Sequence, residues 1–456
     1  MSRSSYFQDL LTSVFERGIA AVRSDRDDRP LAELCEALMS VRGEVSGQRL
    51  AAAVLDRFDA ADAAERLTFF TMLSEEFDVD ARAIARAATA YGENNDSRRY
   101  AALLEASEPK RLALLRRLNS VPGGTARLVR MRAALLPLLR EYPAFQRLDH
   151  DFEHLFGSWF NRGFLVLRHI DWRSPANLLE KIIAYEAVHA INDWDDLRRR
   201  TEPRDRRCFA FFHPAMPDEP LIFVEVALTS GIPDSIQAVL AEDREPMPAE
   251  RASTAVFYSI SNCQEGLRGV SFGNFLIKQV ARDLAEELPQ LKQFVTLSPV
   301  PGLMNWVRKA VQEPGQDSER AALLRLLEIS QTGEAGPERV AGLELSNAER
   351  ASLLGQAARY LCDATRADGL PLDPVARFHL GNGALLARLN WNADATAKGY
   401  AQSAGVMVNY LYELDKVEAR HETYQATMEV AMSREVRGLA EAARKLRRTR
   451  EARAEG

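Results

Sequence analysis

Two segments of the chain combine residue types and spacings that can do chemistry. The first runs Gln264-Glu265-Gly266-Leu267-Arg268-Gly269-Val270-Ser271-Phe272-Gly273-Asn274. It follows a strand-like run and opens a helix whose Leu276, Val280, Leu284 and Leu288 recur every four positions. A glycine-bearing turn at a helix start leaves backbone N–H groups unpaired, and these add to the positive end of the helix dipole. Such a place suits a phosphate or pyrophosphate, and Gly269 and Gly273 carry no Cβ to hold the backbone away from it. Two glycines near a helix start are equally the content of an ordinary tight turn, so the segment alone leaves both readings open. The GxGxxG order of a dinucleotide fold is absent.

The second segment is His150-Asp151-Phe152-Glu153-His154, which fits H-x-x-E-H. Histidines at i and i+4 share a helix face and could hold a zinc, with the glutamate as base. A catalytic zinc needs a third protein ligand, and nothing nearby supplies a compelling one. With Phe152, Leu155 and Phe156 alongside, an ordinary polar helix face is the preferred reading and no metal is expected. Cys35, Cys208, Cys263 and Cys362 show no CxxC spacing, which fits neither a disulfide framework nor a zinc finger and points to a reducing compartment.

Composition bounds the rest. A chain of 456 residues exceeds one ordinary core, so two or three domains are expected. A net charge of −6 argues against broad nucleic-acid or membrane surfaces, although a small anionic ligand needs only local positive charge. No run of about 18 apolar residues occurs, so no membrane span is expected. The first residues lack an apolar leader with a cleavage site, and the chain ends EARAEG without a peroxisomal address. Cytoplasm is the expected location.

The elements that must position these residues fall into two textures. Through residue 156, segments such as Asp9 to Val22, Leu31 to Val41, Ala61 to Leu73 and Ala81 to Ala90 repeat apolar residues at helical spacing. A helical N-terminal bundle over 1–156 follows, a scaffold through which the chain is expected to form a homo-oligomer. From 157 to 456 short runs rich in Phe, Val and Ile predict strands: Phe164 to Ile170, Cys208 to Phe212, Leu221 to Leu228, Ala255 to Ser261 and Phe294 to Leu297. Helical patterns lie between them at Asn177 to His189, Phe275 to Leu288, Met304 to Gln312 and Ala322 to Ile329. Strands interleaved with helices predict an α/β or α+β layer around a central sheet. After Tyr412 the chain is again helical, and the mixed-sign stretch Arg434 to Arg453 reads as a solvated helix face.

Arg268-Gly269-x-Ser271-x-Gly273 resembles the acetyl-CoA signature of the GNAT acetyltransferases, departing where Ser271 replaces a glycine. Longer segments resemble the malonyl-CoA decarboxylases, in that family's order. They include Ser158-Trp159-Phe160-x-x-Gly163-Phe164-Leu165, Trp172-x-Ser174-Pro175 and Phe257-Tyr258-Ser259-Ile260-Ser261. Leu297-Ser298-Pro299-Val300-Pro301-Gly302, Phe378-His379-Leu380-x-Asn382-Gly383, Asn390-Trp391-x-Ala393-Asp394 and Ser403-x-Gly405-x-Met407-x-Asn409-Tyr410-x-Tyr412 follow. The resemblance spans roughly Gly157 to Tyr412.

It implies a helical domain joined to a GNAT-like mixed-sheet catalytic domain that converts malonyl-CoA to acetyl-CoA and CO2 without metal or organic cofactor. Residue by residue, it implies Ser298 and His379 as the catalytic pair and Arg268 to Asn274 as the coenzyme A loop. Asn382 and Tyr412 remain candidates for substrate contacts. Losing CO2 leaves an enolate, so the site must stabilise an oxyanion and deliver a proton to carbon. A histidine, with an ordinary pKa of about 6.5, can carry that proton. A serine hydroxyl can donate one hydrogen bond and accept another. Apart from the resemblance, a serine before proline reads as a turn residue, and His379 between Phe378 and Leu380 as a core histidine. The competing function is an acetyl-CoA-dependent acyltransferase of GNAT type. The Phe-His-Leu and Asn-Trp-x-Ala-Asp segments are foreign to that pattern.

Overall fold

The computed structural model describes residues 27–270, 276–313, 317–341 and 343–448. The expected helix Asp9 to Val22 lies outside them. Contacts divide the chain into two compact units, one of Met1–Val166, Phe212–Pro220 and Gln264–Ser271, the other of Leu167–Phe211, Leu221–Cys263 and Phe272–Gly456.

The first unit is helical. Leu31–Ser40, Glu44–Ala60, Ala63–Glu75, Lys110–Asn119, Gly124–Leu135 and Gln146–Trp159 bury one stripe each, with Leu38, Leu55, Phe58, Phe70, Leu115, Leu128 and Phe152 inside. The helix expected from Ala61 starts two residues later because Asp62 caps it, accepting from the Glu65 N–H while Glu65 answers at the Asp62 N–H. Buried Arg111 is held between Asp78 and Asp151, and buried Arg132 between Asp149 and Glu153.

The second unit is built on one mixed sheet. Its strands are β1 (Val166–Ile170), β2 (Arg206–Phe212), β3 (Ile222–Thr229), β4 (Thr254–Asn262), β5 (Gln293–Thr296), β6 (Ser298–Pro299), β7 (Leu385–Asn390) and β8 (Met407–Tyr412). The order is β1-β2-β3-β4-β5-β8-β6, and β7 also pairs with β8. β4 and β5 run parallel, while β2–β3, β3–β4 and every pairing of β8 are antiparallel. The five expected strands are present, each shifted by no more than two residues. β6, β7 and β8 were not expected. Leu385–Asn390 is rich in residues that favour helices, and it becomes a strand by pairing with β8, from Leu385↔Leu411 to Asn390↔Met407, with Leu386 also bridged to Met432.

One helix stops early. Asn177 to His189 reads as continuous, yet the helix is Ala176–Tyr185. Glu186 is taken out of it, because its carboxylate accepts from the Ser259 and Ser261 hydroxyls of β4 and from the Val188 and His189 N–H groups. A tertiary demand for a buried acceptor overrides the local pattern.

Candidate active site

The site grows from the period of the β5–β6 segment. Successive side chains of an extended chain alternate faces. Val295 and Leu297 enter an apolar cluster with Val256, Tyr258 and Met407. Thr296 and Ser298 therefore share the opposite face, and the Ser298 hydroxyl donates to Thr296 Oγ1 at 2.8 Å. Thr296 Oγ1 also accepts from the Tyr410 N–H at 3.1 Å, which ties this face to β8.

His379 arrives from elsewhere in the sequence, on the helix Pro374–Gly381. Asp373 caps that helix and Pro374 sits at its first position, where a missing N–H costs nothing. The helix ends at once after Gly381. Gly383 adopts φ +82, and a Cβ there would collide with the Val417 carbonyl, so only glycine serves. This sharp stop lets the chain turn directly into β7.

His379 Nε2 lies 3.2 Å from Ser298 Oγ, and its Nδ1 lies 2.8 Å from the Tyr412 hydroxyl. The ring stacks on Tyr410 at 4.5 Å between centroids, two residues before Tyr412 on the same face of β8. Asn382, on the turn after the helix, reaches the Tyr412 hydroxyl with its side chain, and its own Oδ1 is buried without a partner among the described residues. Ser298, His379, Asn382 and Tyr412 are all buried. Four residues expected from the sequence thus form one cluster, joined by Thr296 and Tyr410, which were not singled out. Their signal was available: Thr296 stands two residues before Ser298 and Tyr410 two before Tyr412.

The electrostatics change one expectation. Burial alone pushes His379 down to about 3, with no carboxylate among the described residues beside it to hold a proton. The imidazole is neutral at physiological pH, not a standing acid with its ordinary pKa. Burial likewise lifts the Tyr410 and Tyr412 hydroxyls well above their usual range, so both stay protonated. With Ser298 donating to Thr296, the consistent arrangement has Nε2–H facing Ser298 and Tyr412 donating to Nδ1. An uncharged chain of O–H and N–H groups is a proton path awaiting a charge.

Of the expected coenzyme A loop, Arg268, Gly269 and Val270 are described, in the first compact unit; Ser271, Phe272, Gly273 and Asn274 lie outside the described residues. The Arg132 guanidinium donates to the Gly266 carbonyl at 3.0 Å and the Arg268 carbonyl at 2.8 Å, anchoring this turn. Packing requires glycine at Gly266, and the left-handed backbone requires it at Gly269. A Cβ on the first would strike the Val129 carbonyl; Gly269 has φ +86, and a Cβ there would strike Glu153. The Arg268 and Val270 N–H groups donate to the Glu265 and Leu267 carbonyls, so part of the expected N–H array is used within the turn itself. The Arg268 side chain is exposed.

His150 and His154 are exposed on the helix Gln146–Trp159. The acids between them face arginines, Asp151 to Arg111 and Glu153 to Arg132, which accounts for the motif as packing between helices. Among the described residues no group of three or more His, Cys, Asp or Glu could hold a metal ion. None of their helices is long and apolar enough to cross a membrane. A separate cleft is lined by Arg199, Arg200, Arg206 and Arg244, but these are already matched by Asp196, Asp205 and Glu242.

Comparison with known proteins agrees over both parts of the chain. A family model for the malonyl-CoA decarboxylase N-terminal domain matches residues 77–160, and one for the malonyl-CoA decarboxylase C-terminal domain matches residues 163–452. The mitochondrial malonyl-CoA decarboxylase of Anser anser anser is 36% identical over 392 residues, covering 80% of this chain and 77% of the relative. That of Rattus norvegicus is 35% identical over 407 residues, covering 83% and 82%. The crystal structure of malonyl-CoA decarboxylase from Rhodopseudomonas palustris is 48% identical with a TM-score of 0.83, covering 90% of this chain and 98% of that one. The one from Agrobacterium vitis is 50% identical with a TM-score of 0.82, covering 90% and 100%. The chain belongs to the malonyl-CoA decarboxylase family.

Proposed function

We propose that the protein decarboxylates malonyl-CoA to acetyl-CoA and CO2, with Ser298 and His379 as its reacting pair and no metal or organic cofactor. The observation that carries this reading is the buried contact of Ser298 Oγ with His379 Nε2 at 3.2 Å, in a chain of this family.

The bond between the α-carbon and the carboxylate breaks, CO2 leaves, and the electron pair passes into the thioester as an enolate. The α-carbon then takes one proton, which comes ultimately from solvent. In the free protein His379 is neutral, but a malonyl carboxylate entering beside it favours the imidazolium by direct attraction. Substrate binding thereby loads the acid. The proton passes from Nε2, directly or through Ser298 Oγ, to the carbon; the proton that loaded the ring stays on Nδ1, which then donates to the Tyr412 hydroxyl it had accepted from. Positioned acid catalysis of this kind contributes roughly 10²- to 10⁴-fold.

The turn Arg268, Gly269, Val270, Ser271, Phe272, Gly273, Asn274 serves the coenzyme A phosphates, with Asn382 and Tyr412 contacting the acyl end. In this reading residues 157–456 are the GNAT-like catalytic domain, and residues 1–156 are a helical domain that assembles a homo-oligomer in the cytoplasm.

The deciding experiment incubates the purified protein with malonyl-CoA alone and follows acetyl-CoA. Turnover without added metal, lost in Ser298→Ala and His379→Gln, is expected. No acetyl-CoA from the wild type sinks the reading. Acetyl transfer to an added amine without decarboxylation would favour the acyltransferase instead.

A further inference from the structure

Asp373 does more than cap a helix. Its Oδ1 accepts from the Val375 N–H at 2.9 Å and the Ala376 N–H at 2.8 Å, at the start of the helix that carries His379. The same carboxylate faces the Gly302 backbone: a Cβ on Gly302 would stand 3.6 Å from Oδ2, and the Gly302 N–H favours the ionised carboxylate. Gly302 ends the turn that begins at Ser298-Pro299, so one side chain grips both elements of the reacting pair. Oδ2 also receives the Tyr360 hydroxyl at 3.3 Å. A helix cap needs one acceptor oxygen and ordinarily sits in water, whereas Asp373 is 1% exposed and both of its oxygens are engaged. Burying a carboxylate is costly unless it is well bonded, so the site spends an expensive group on holding these two segments together.

The turn is shaped to meet it. A Cβ at Gly302 would collide with the Tyr360 hydroxyl, so the close approach of this backbone to the Asp373–Tyr360 pair requires glycine. Tyr360 is itself steadied by Trp306, whose ring lies 5.5 Å away.

We infer that Asp373 is a positioning residue that clamps the turn after Ser298 to the N-terminus of the His379 helix and so sets the separation of the pair. The inference rests on the proposed roles of Ser298 and His379. A misplacement of about 1 Å can cost about 10²-fold in rate, so loosening the clamp acts on turnover more than on substrate binding.

Two substitutions isolate the clamp from the cap. Asp373→Asn keeps a capping oxygen for Val375 and Ala376 but turns an N–H₂ toward the Gly302 N–H. Asp373→Ser also caps, on an arm too short to reach Gly302. In both, kcat for malonyl-CoA is expected to fall about 10²-fold with KM changed by less than about threefold. A cap without further role predicts wild-type kcat in both variants, and that result overturns the clamp. A second readout does not depend on turnover: the ring ¹⁵N shifts of His379, assigned by comparison with His379→Gln, should move in both variants. Unchanged shifts overturn the clamp whatever the activity. A wild type inactive on malonyl-CoA, with shifts that do move, would instead sink the decarboxylase reading and leave the clamp standing.

Discussion

The Tyr412 hydroxyl lies 2.8 Å from His379 Nδ1, on the opposite edge of the ring from Ser298. A histidine held at both nitrogens has its tautomer and its plane fixed before substrate arrives. Tyr412→Phe keeps the ring in place but removes the hydroxyl, leaving Nδ1 and the Asn382 side chain without this partner. The expected outcome is a fall in kcat of about 10- to 10²-fold with little change in KM, measured by acetyl-CoA release. An equal rise in KM with kcat intact would make Tyr412 a substrate-binding group only.

The buried neutral state of His379 has a signed consequence for pH. Its pKa in the folded protein, about 3, lies below the ordinary 6.5. Between those values the unfolded chain binds a proton that the folded one refuses, so stability is fully present above the ordinary pKa and declines as pH falls toward 3. His189 acts in the same sense, lowered to about 4 chiefly by burial. The urea midpoint is therefore expected to drop on acidification from about pH 7 to about pH 5, and less steeply in His379→Gln. Parallel curves for the two proteins would show that His379 is not held neutral. The same shift predicts that kcat/KM, which reports the free enzyme, carries no His379 inflection between about pH 5 and 8.

Much of this arrangement was legible in the sequence, and the part that was not has physical causes. Ser298 and His379 stood out through the Leu-Ser-Pro and Phe-His-Leu segments, and five strands through their Phe, Val and Ile content. Asp373-Pro374 is a readable helix start, but nothing local says that the same carboxylate also holds Gly302, 71 positions earlier (373 − 302). β7 and β8 escaped notice because their extended form comes from pairing with each other, and with β5 and β6, rather than from an alternating pattern. Likewise the low pKa of His379 is a property of complete burial, which its neighbours Phe378 and Leu380 suggest but cannot measure.

Gly269 tests the proposed coenzyme A loop. It combines φ +86 with a neighbour, Glu153, that a Cβ would strike. Gly269→Ala must strain the backbone, at about 1–2 kcal/mol for the left-handed conformation, or shift the turn that Arg132 anchors. If the turn carries the coenzyme A phosphates, KM for malonyl-CoA rises by about tenfold or more while kcat falls less. A loss of thermal stability with unchanged KM would assign Gly269 to packing alone and remove the described part of the loop from the binding site.

The helices Ala81–Glu93 and Ser97–Ser107 bury no residue in the isolated chain. Tyr91 and Tyr100 meet at 5.9 Å between them, but Tyr100 remains 50% exposed and Leu104 54%. Helices of this length are marginal in water without tertiary packing, so a pair that buries no residue gains from a cover. In the homo-oligomer proposed here a second copy of the chain supplies it. The double variant Tyr100→Glu/Leu104→Glu is then expected to lower the mass measured by light scattering to that of a single chain. Proteolysis within the two helices should speed up, because their folded form has lost its support. A wild type that is monomeric at micromolar concentration, with this hairpin resistant to protease, would show that the pair stands on its own.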